Sequence, residues 1–168
     1  MVDSSEAAVD RHAHYPDALI KSILRSVKTI AMVGASTSWN RPSYFAMKYL
    51  QDKGFRVIPV NPAAAGHEIL GEKVYASVRD IPVKIYMVDV FRASEHVPPL
   101  AEDAIAVGAK VLWMQLGVRN DAAAAMAEKA GLTVIMNRCP KIEYGRLSGE
   151  LGWHGFNSGV ITSKRRKI

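Results

Sequence analysis

The sequence has one cysteine among 168 residues, Cys139. An internal disulfide framework is therefore excluded, and a zinc site built on several thiolates has no ligands to draw on. No apolar run approaches the ~20 residues that cross a bilayer as a helix. The start of the chain, Met1 to Asp17, is polar and lacks the apolar stretch of a signal peptide. These absences predict a cytoplasmic protein with no membrane contact. Two nucleotide fingerprints are missing as well: neither G-x-G-x-x-G nor G-x-x-x-x-G-K-[ST] occurs anywhere. The plain dinucleotide and triphosphate readings thereby lose their main support.

An excess of one charge is present but confined. Of a formal net charge of +6, four positive charges sit in the last five residues, as Lys164, Arg165, Arg166 and Lys167. A short basic end without interleaved aromatics or an RNA-binding signature reads as a solvated tail, so no nucleic-acid partner is expected. His12 and His14 have no acidic or cysteine partner at ligand spacing, so they belong to a mobile terminus and no metal site is predicted. The hydrophobic content of 49% suffices for one packed domain. We divide the chain into a flexible segment over 1–16, a domain over 17–150, and a C-terminal extension with its basic tail over 151–168.

Within the domain the sequence alternates between two periods. Asp17 to Val27 spaces Leu19, Ile20, Ile23, Leu24 and Val27 at 3.6 residues, which predicts an amphipathic helix beside a sheet. Thr29 to Val33 is a short apolar strand that stops at Gly34. The small residues Ala35, Ser36, Thr37 and Ser38 lead to Pro42 and a helix over Ser43 to Asp52, with Phe45, Ala46, Tyr49 and Leu50 on one face and Gly54 as its stop. Arg56 to Val60 is the second strand, and Gly66 to Pro82, less regular, holds a short hairpin-like or edge piece and one helical turn. Lys84 to Val90 is a third strand, apolar as one covered on both faces should be. A helix over Ala93 to Val107 places Pro98 and Pro99 in its first turn. Val111 to Gln115, a helix over Asn120 to Ala130 and Thr133 to Met136 complete the series. Such alternation predicts a Rossmann-like, doubly wound α/β fold: a mostly parallel five-stranded sheet in a three-layer sandwich.

In such sheets ligands sit outside the carboxyl ends of the strands, at the switch point. The residues just past each strand are the candidates: Gly34 to Ser36, Asn61 and Pro62, Phe91 and Arg92, Gln115 to Gly117, and Arg138 with Cys139. The first loop lets backbone N–H groups and a helix start face an anion without bulky side chains in the way. The second strand ends in Asn61-Pro62 rather than in the acidic residue that would hold the ribose of NAD. Arg41 and Arg92 suit a ribose that carries an extra phosphate, as in coenzyme A or NADP.

The segments VGAS, RPS, RVIPVNP, GEKVYASVRDIP, VDVFR, VLWMQLG and NRCPKIEYGRL, in this order, resemble the stand-alone CoA-binding proteins. The domain of that family is similar to the N-terminal domain of the succinyl-CoA synthetase alpha subunit. The resemblance runs from about Ile20 to Leu147 and implies a domain that holds coenzyme A. By position it implies that Gly34, Ala35 and Ser36 face the pyrophosphate with Arg41 beside it, and that Asn61 and Pro62 border the adenosine. Val90, Phe91 and Arg92 would line its other side, and Gln115 and Gly117 would lie toward the pantetheine. It also implies that no complete acyl-CoA ligase is encoded in this chain.

Two classes of function follow. The first is a CoA or acyl-CoA binding module without chemistry of its own, acting as carrier, sensor or partner of another protein. The second is an enzyme using NADP or an acyl-CoA. Asp89 reads as support for a loop, and Glu143 is either an acid or base near Cys139 or a residue of a helix start. Arg138 and a helix start after Pro140 would favour a Cys139 thiolate and thus thiol exchange with CoA, against the alternative of a small buried hydrophobe. Trp39, Trp113, Trp153 and the stretch over 149–163 offer apolar surface for a homo-oligomer, or a segment that wraps back on its own sheet.

Overall fold

The computed structural model describes residues 9–149. The basic tail, Trp153 and most of the apolar stretch around it lie outside the described residues. The strands β1 (Thr29–Val33), β2 (Arg56–Val60), β5 (Met87–Val90), β6 (Val111–Met114) and β7 (Thr133–Ile135) form one parallel sheet in the order β2-β1-β5-β6-β7. Strands β3 (Glu68–Ile69) and β4 (Glu72–Lys73) make a separate antiparallel hairpin, and a 3₁₀ turn follows at Val78–Asp80. Both were expected between Gly66 and Pro82.

Side chains of each central strand alternate between two cores, as the period of two demands. Val88, Val90, Leu112 and Met114 face α3 (Val97–Ala106) and α4 (Asp121–Lys129). Met32, Met87, Trp113 and Ile135 face α1 (Asp17–Ser26), α2 (Pro42–Asp52) and α5 (Pro140–Leu147). Trp113 is wholly buried and its indole N–H donates to the carbonyl of Arg138 at 2.8 Å, so its polar atom costs nothing in the core. The chain runs outward from β1 to β2 on one side and from β5 to β7 on the other, so the switch point lies between β1 and β5. The register pairs Val33 with both Val60 and Val90, which brings three strand ends to one level beneath the loops.

Three local expectations are corrected. The third strand of the sheet, β5, begins at Met87 rather than Lys84, although Tyr86 still donates to Thr29 O and accepts from Lys110 and Val111. The helix expected from Ala93 opens as a 3₁₀ turn, Ser94–His96, before α3; Pro98 and Pro99 fall in the first turn of α3, where an N–H has no helical partner. The segment over 10–15, expected to be flexible, is anchored to the domain through His12 and Tyr15, while Asp10, Arg11, Ala13 and His14 are exposed. Tyr15 is buried, its hydroxyl accepts from the N–H of Met136 at 2.8 Å, and His12 Nδ1 lies 2.8 Å from the same oxygen. Asp10 and Arg11 pair with Arg119 and Glu128, 2.8 and 2.9 Å away.

Candidate functional site

Gly34 ends β1 with φ +86°, and a Cβ there would lie 2.5 Å from the carbonyl oxygen of Phe91 and 3.1 Å from Arg92 Cδ. Only glycine fits, for both conformation and space. The Gly34 N–H donates to Val60 O at 2.9 Å and the Phe91 N–H to Val33 O at 2.8 Å, so the ends of β2, β1 and β5 are laced together. The Asn61 side-chain amide donates to Ala35 O at 2.9 Å and its Oδ1 accepts from Ala63 N at 3.0 Å. Asn61 thus shapes the loop edge from both ends of its side chain.

The loop after Gly34 is less open than its composition predicts. The Ser36 N–H is held by Ser43 Oγ and the Ser38 N–H by Ser36 Oγ, each at 3.1 Å. Among the described residues the N–H groups of Ala35 and Thr37 have no hydrogen-bond partner. Serine hydroxyls therefore rigidify the turn and leave the N–H of the exposed Thr37 as a donor for a ligand.

Two cavities open over the carboxyl edge and meet at Arg92. The smaller, about 310 Å³, is lined by Gly34, Asn61, Pro62, Arg92 and His96 among others. The larger, about 700 Å³, lies under the start of α2 and of α5 and takes in Phe91, Arg92, Gln115, Gly117 and Cys139. Of the residues singled out by sequence, nine thus line a cavity: Gly34, Asn61, Pro62, Phe91, Arg92, Gln115, Leu116, Gly117 and Cys139. Val90 and Ala35 are buried in the cores and line neither, because each is turned inward at its strand end. Ser36 also lines neither cavity. Arg41 is exposed just before α2, where its carbonyl accepts from Tyr44 and Phe45.

Beneath the larger cavity lies an acid that sequence reasoning placed only as a loop support. Asp89 is fully buried on the α2/α5 side of β5, where burial pushes its carboxyl up to about 7 while the Gln115 amide, donating to Oδ1 at 2.8 Å, pulls the other way. Its Oδ2 has no partner. Cys139 is also raised, first by burial and further by the charge of Asp89. The thiolate that Arg138 was expected to favour is therefore disfavoured. The guanidinium of Arg138 donates instead to the carbonyls of Asn137 and Ala13 at 2.8 and 3.3 Å, and stacks over Tyr15. Glu143 accepts from Arg146 at 2.6 Å, which is a structural contact within α5.

Phe45 and Ile142 are among the cavity residues that escaped the sequence reading, whereas Leu116 lay within the Gln115 to Gly117 stretch that it singled out. Phe45 was placed on one face of α2 with Ala46, Tyr49 and Leu50, yet it is half exposed in the first turn while those three are buried. The signal available was a large apolar residue next to a helix start, and that pattern is not specific. Gly117, by contrast, has φ +79° and its N–H donates to Asn137 Oδ1 at 2.8 Å, tying the ends of β6 and β7 together.

Residues 28–145 match the model of the CoA binding domain. An uncharacterised protein of Bacillus subtilis, YneT, is 42% identical over 125 residues, covering 74% of this chain and 91% of that one. The alpha subunit of an ADP-forming acetate–CoA ligase of Pyrococcus furiosus is 34% identical over 89 residues, 51% of this chain but 19% of that subunit. A solved structure of a hypothetical protein from Pyrococcus horikoshii is 44% identical with a TM-score of 0.76, covering 79% of this chain and 92% of the other. Taken with the parallel sheet and the paired cavities at its switch point, these matches place the chain in the CoA-binding domain family.

Proposed function

We propose that the protein binds coenzyme A or an acyl-CoA as a carrier, sensor or partner module that does no chemistry of its own. The observation that carries this reading is the placement of Arg92, an exposed cation shared by two cavities on either side of the Gly34 turn. A ligand with a nucleotide at one end, phosphates in the middle and a long arm at the other matches that sequence of spaces. In this reading the pyrophosphate lies over Gly34 to Thr37, near the N–H of Thr37, and Arg41 adds positive charge from the start of α2. The adenosine takes the smaller cavity beside Asn61 and Pro62. The pantetheine passes Arg92 toward Gln115 and Gly117.

The reactive groups at and behind the larger cavity favour binding over catalysis, with Cys139 on its lining and Glu143 behind it in α5. The Cys139 thiol is held protonated and the Glu143 carboxylate is held by Arg146. Native mass spectrometry of the purified protein incubated with CoA tests the reading, with a thioesterase assay on acetyl-CoA alongside. We expect a one-to-one CoA adduct and no thioester loss above the uncatalysed rate. An adduct with NAD but none with CoA would contradict it, and rapid hydrolysis would move the protein to the enzyme class.

A further inference from the structure

The larger cavity has a wall that a nucleotide does not need. Ala46, Val118 and the ring of Phe91 line about 700 Å³, a volume in the range of small-ligand pockets. Around them Phe45, Leu116 and Ile142 are 48%, 56% and 45% exposed, whereas most large apolar side chains of the described residues are buried. Three such side chains around a concave apolar wall form a patch that gains by being covered.

The polar atoms at this cavity narrow the occupant. Asp89 holds the amide nitrogen of Gln115, and this leaves the Gln115 carbonyl oxygen as the acceptor available to a ligand. An acceptor of this kind suits an amide N–H of a pantetheine arm running along the wall. Asp89 keeps an unpartnered, fully buried oxygen behind it, a polar atom maintained beside an otherwise apolar space. Lys141 sits at the same cavity, but its ammonium lies 5.9 Å from the ring of Tyr49, over the aromatic face. Apart from Arg92, on the side shared with the smaller cavity, the end of the arm therefore meets a wall of Phe45, Ala46, Leu116, Val118 and Ile142 that is carbon.

We infer that the larger cavity takes the acyl chain of a CoA thioester, an unbranched and uncharged chain of several carbons, so that a medium-chain acyl-CoA is preferred over free CoA and acetyl-CoA. The inference rests on the CoA reading above and adds the ligand class to it. Adjacency supports it: Arg92 lines both this cavity and the smaller one on the nucleotide side. Free CoA would end at the wall and leave it in water. An acetyl group would add one methyl and cover little more.

Calorimetric titration of the full-length protein with CoA and with acetyl-, butanoyl-, hexanoyl- and octanoyl-CoA tests the inference. We expect one-to-one binding and a Kd that falls about three- to fourfold per added methylene until the wall is covered. In Leu116→Gln and Ile142→Gln, both at exposed positions that the fold tolerates, the ratio of the CoA Kd to the octanoyl-CoA Kd should shrink. Equal affinity for CoA and octanoyl-CoA, with CoA still bound, overturns the acyl inference and leaves the CoA reading standing. Binding of neither CoA nor any thioester overturns both. A chain-length gain unchanged in both variants overturns the inference too. So does a ligand-free dimer in sedimentation that persists with octanoyl-CoA and falls apart in Ile142→Gln, because the patch is then covered by a second copy.

Discussion

At Gly34 a single methyl group would collide with backbone. The Cβ would meet Phe91 O at 2.5 Å, and φ is +86°, so Gly34→Ala should cost about 2–4 kcal/mol from left-handed strain and overpacking together. Gly117→Ala is the control, since φ is +79° but no atom lies within 4 Å; it should cost about 1–2 kcal/mol. Urea unfolding of both variants checks this, and equal losses would show that the contact with Phe91 is not what demands glycine. Arg92→Ala should weaken CoA by about 1.5–3 kcal/mol, the worth of a charge-assisted hydrogen bond. Arg41→Ala should cost less, because Arg41 lines neither cavity. Comparison with 3′-dephospho-CoA shows which phosphate each arginine meets. Asp89 makes stability depend on pH. Its folded pKa of about 7 lies above the ordinary 3.8, so between these values the folded state binds more protons than the unfolded one. The stability it contributes is fully present below 3.8 and is lost as pH rises through about 7. Asp89→Asn cannot titrate, so its melting temperature should gain on that of the wild type from pH 5 to pH 8, and parallel curves would contradict this.

At the scale of elements, the sequence was legible wherever a local signal had a local cause. Pro42 and Pro140 open their helices at the first position, Asn120 caps α4 through its Oδ1 on Ala123 N, and apolar five-residue runs became central strands. The exposure of Phe45 was not legible, because the 3.6-residue stripe shows which side of α2 it occupies but not that it faces a cavity rather than the core. Nor was the anchoring of residues 10–15, which depends on a contact between Tyr15 and Met136, 121 residues apart. That contact gives its own prediction. Tyr15→Phe leaves the buried N–H of Met136 without an acceptor and should cost about 1–3 kcal/mol. Urea unfolding reads the loss, and faster hydrogen exchange at the Met136 amide locates it; unchanged exchange would mean that water or another acceptor serves the N–H.

At the scale of the whole molecule, the order β2-β1-β5-β6-β7 explains why residues scattered from Gly34 to Cys139 converge. Each follows a strand, and parallel strands deliver their carboxyl ends to one edge. Sequence located the strand ends that line the two cavities, because those ends are marked by a glycine or proline or by a change to polar residues, but Ala35, Ser36, Arg41 and Val90 line neither cavity. It did not supply the division into two cavities, the burial that keeps Cys139 protonated, or the Gln115–Asp89 pair, all of which depend on how neighbouring loops and helices stack. The central claim is that this edge selects coenzyme A through Gly34, Arg92 and an Asn61-Pro62 strand end in place of an acidic one. Calorimetry on one preparation with CoA, 3′-dephospho-CoA, NAD and NADPH tests it most directly. The account predicts that CoA binds at least tenfold more tightly than NAD, a difference of about 1.4 kcal/mol, and NAD binding as tightly as CoA would contradict it.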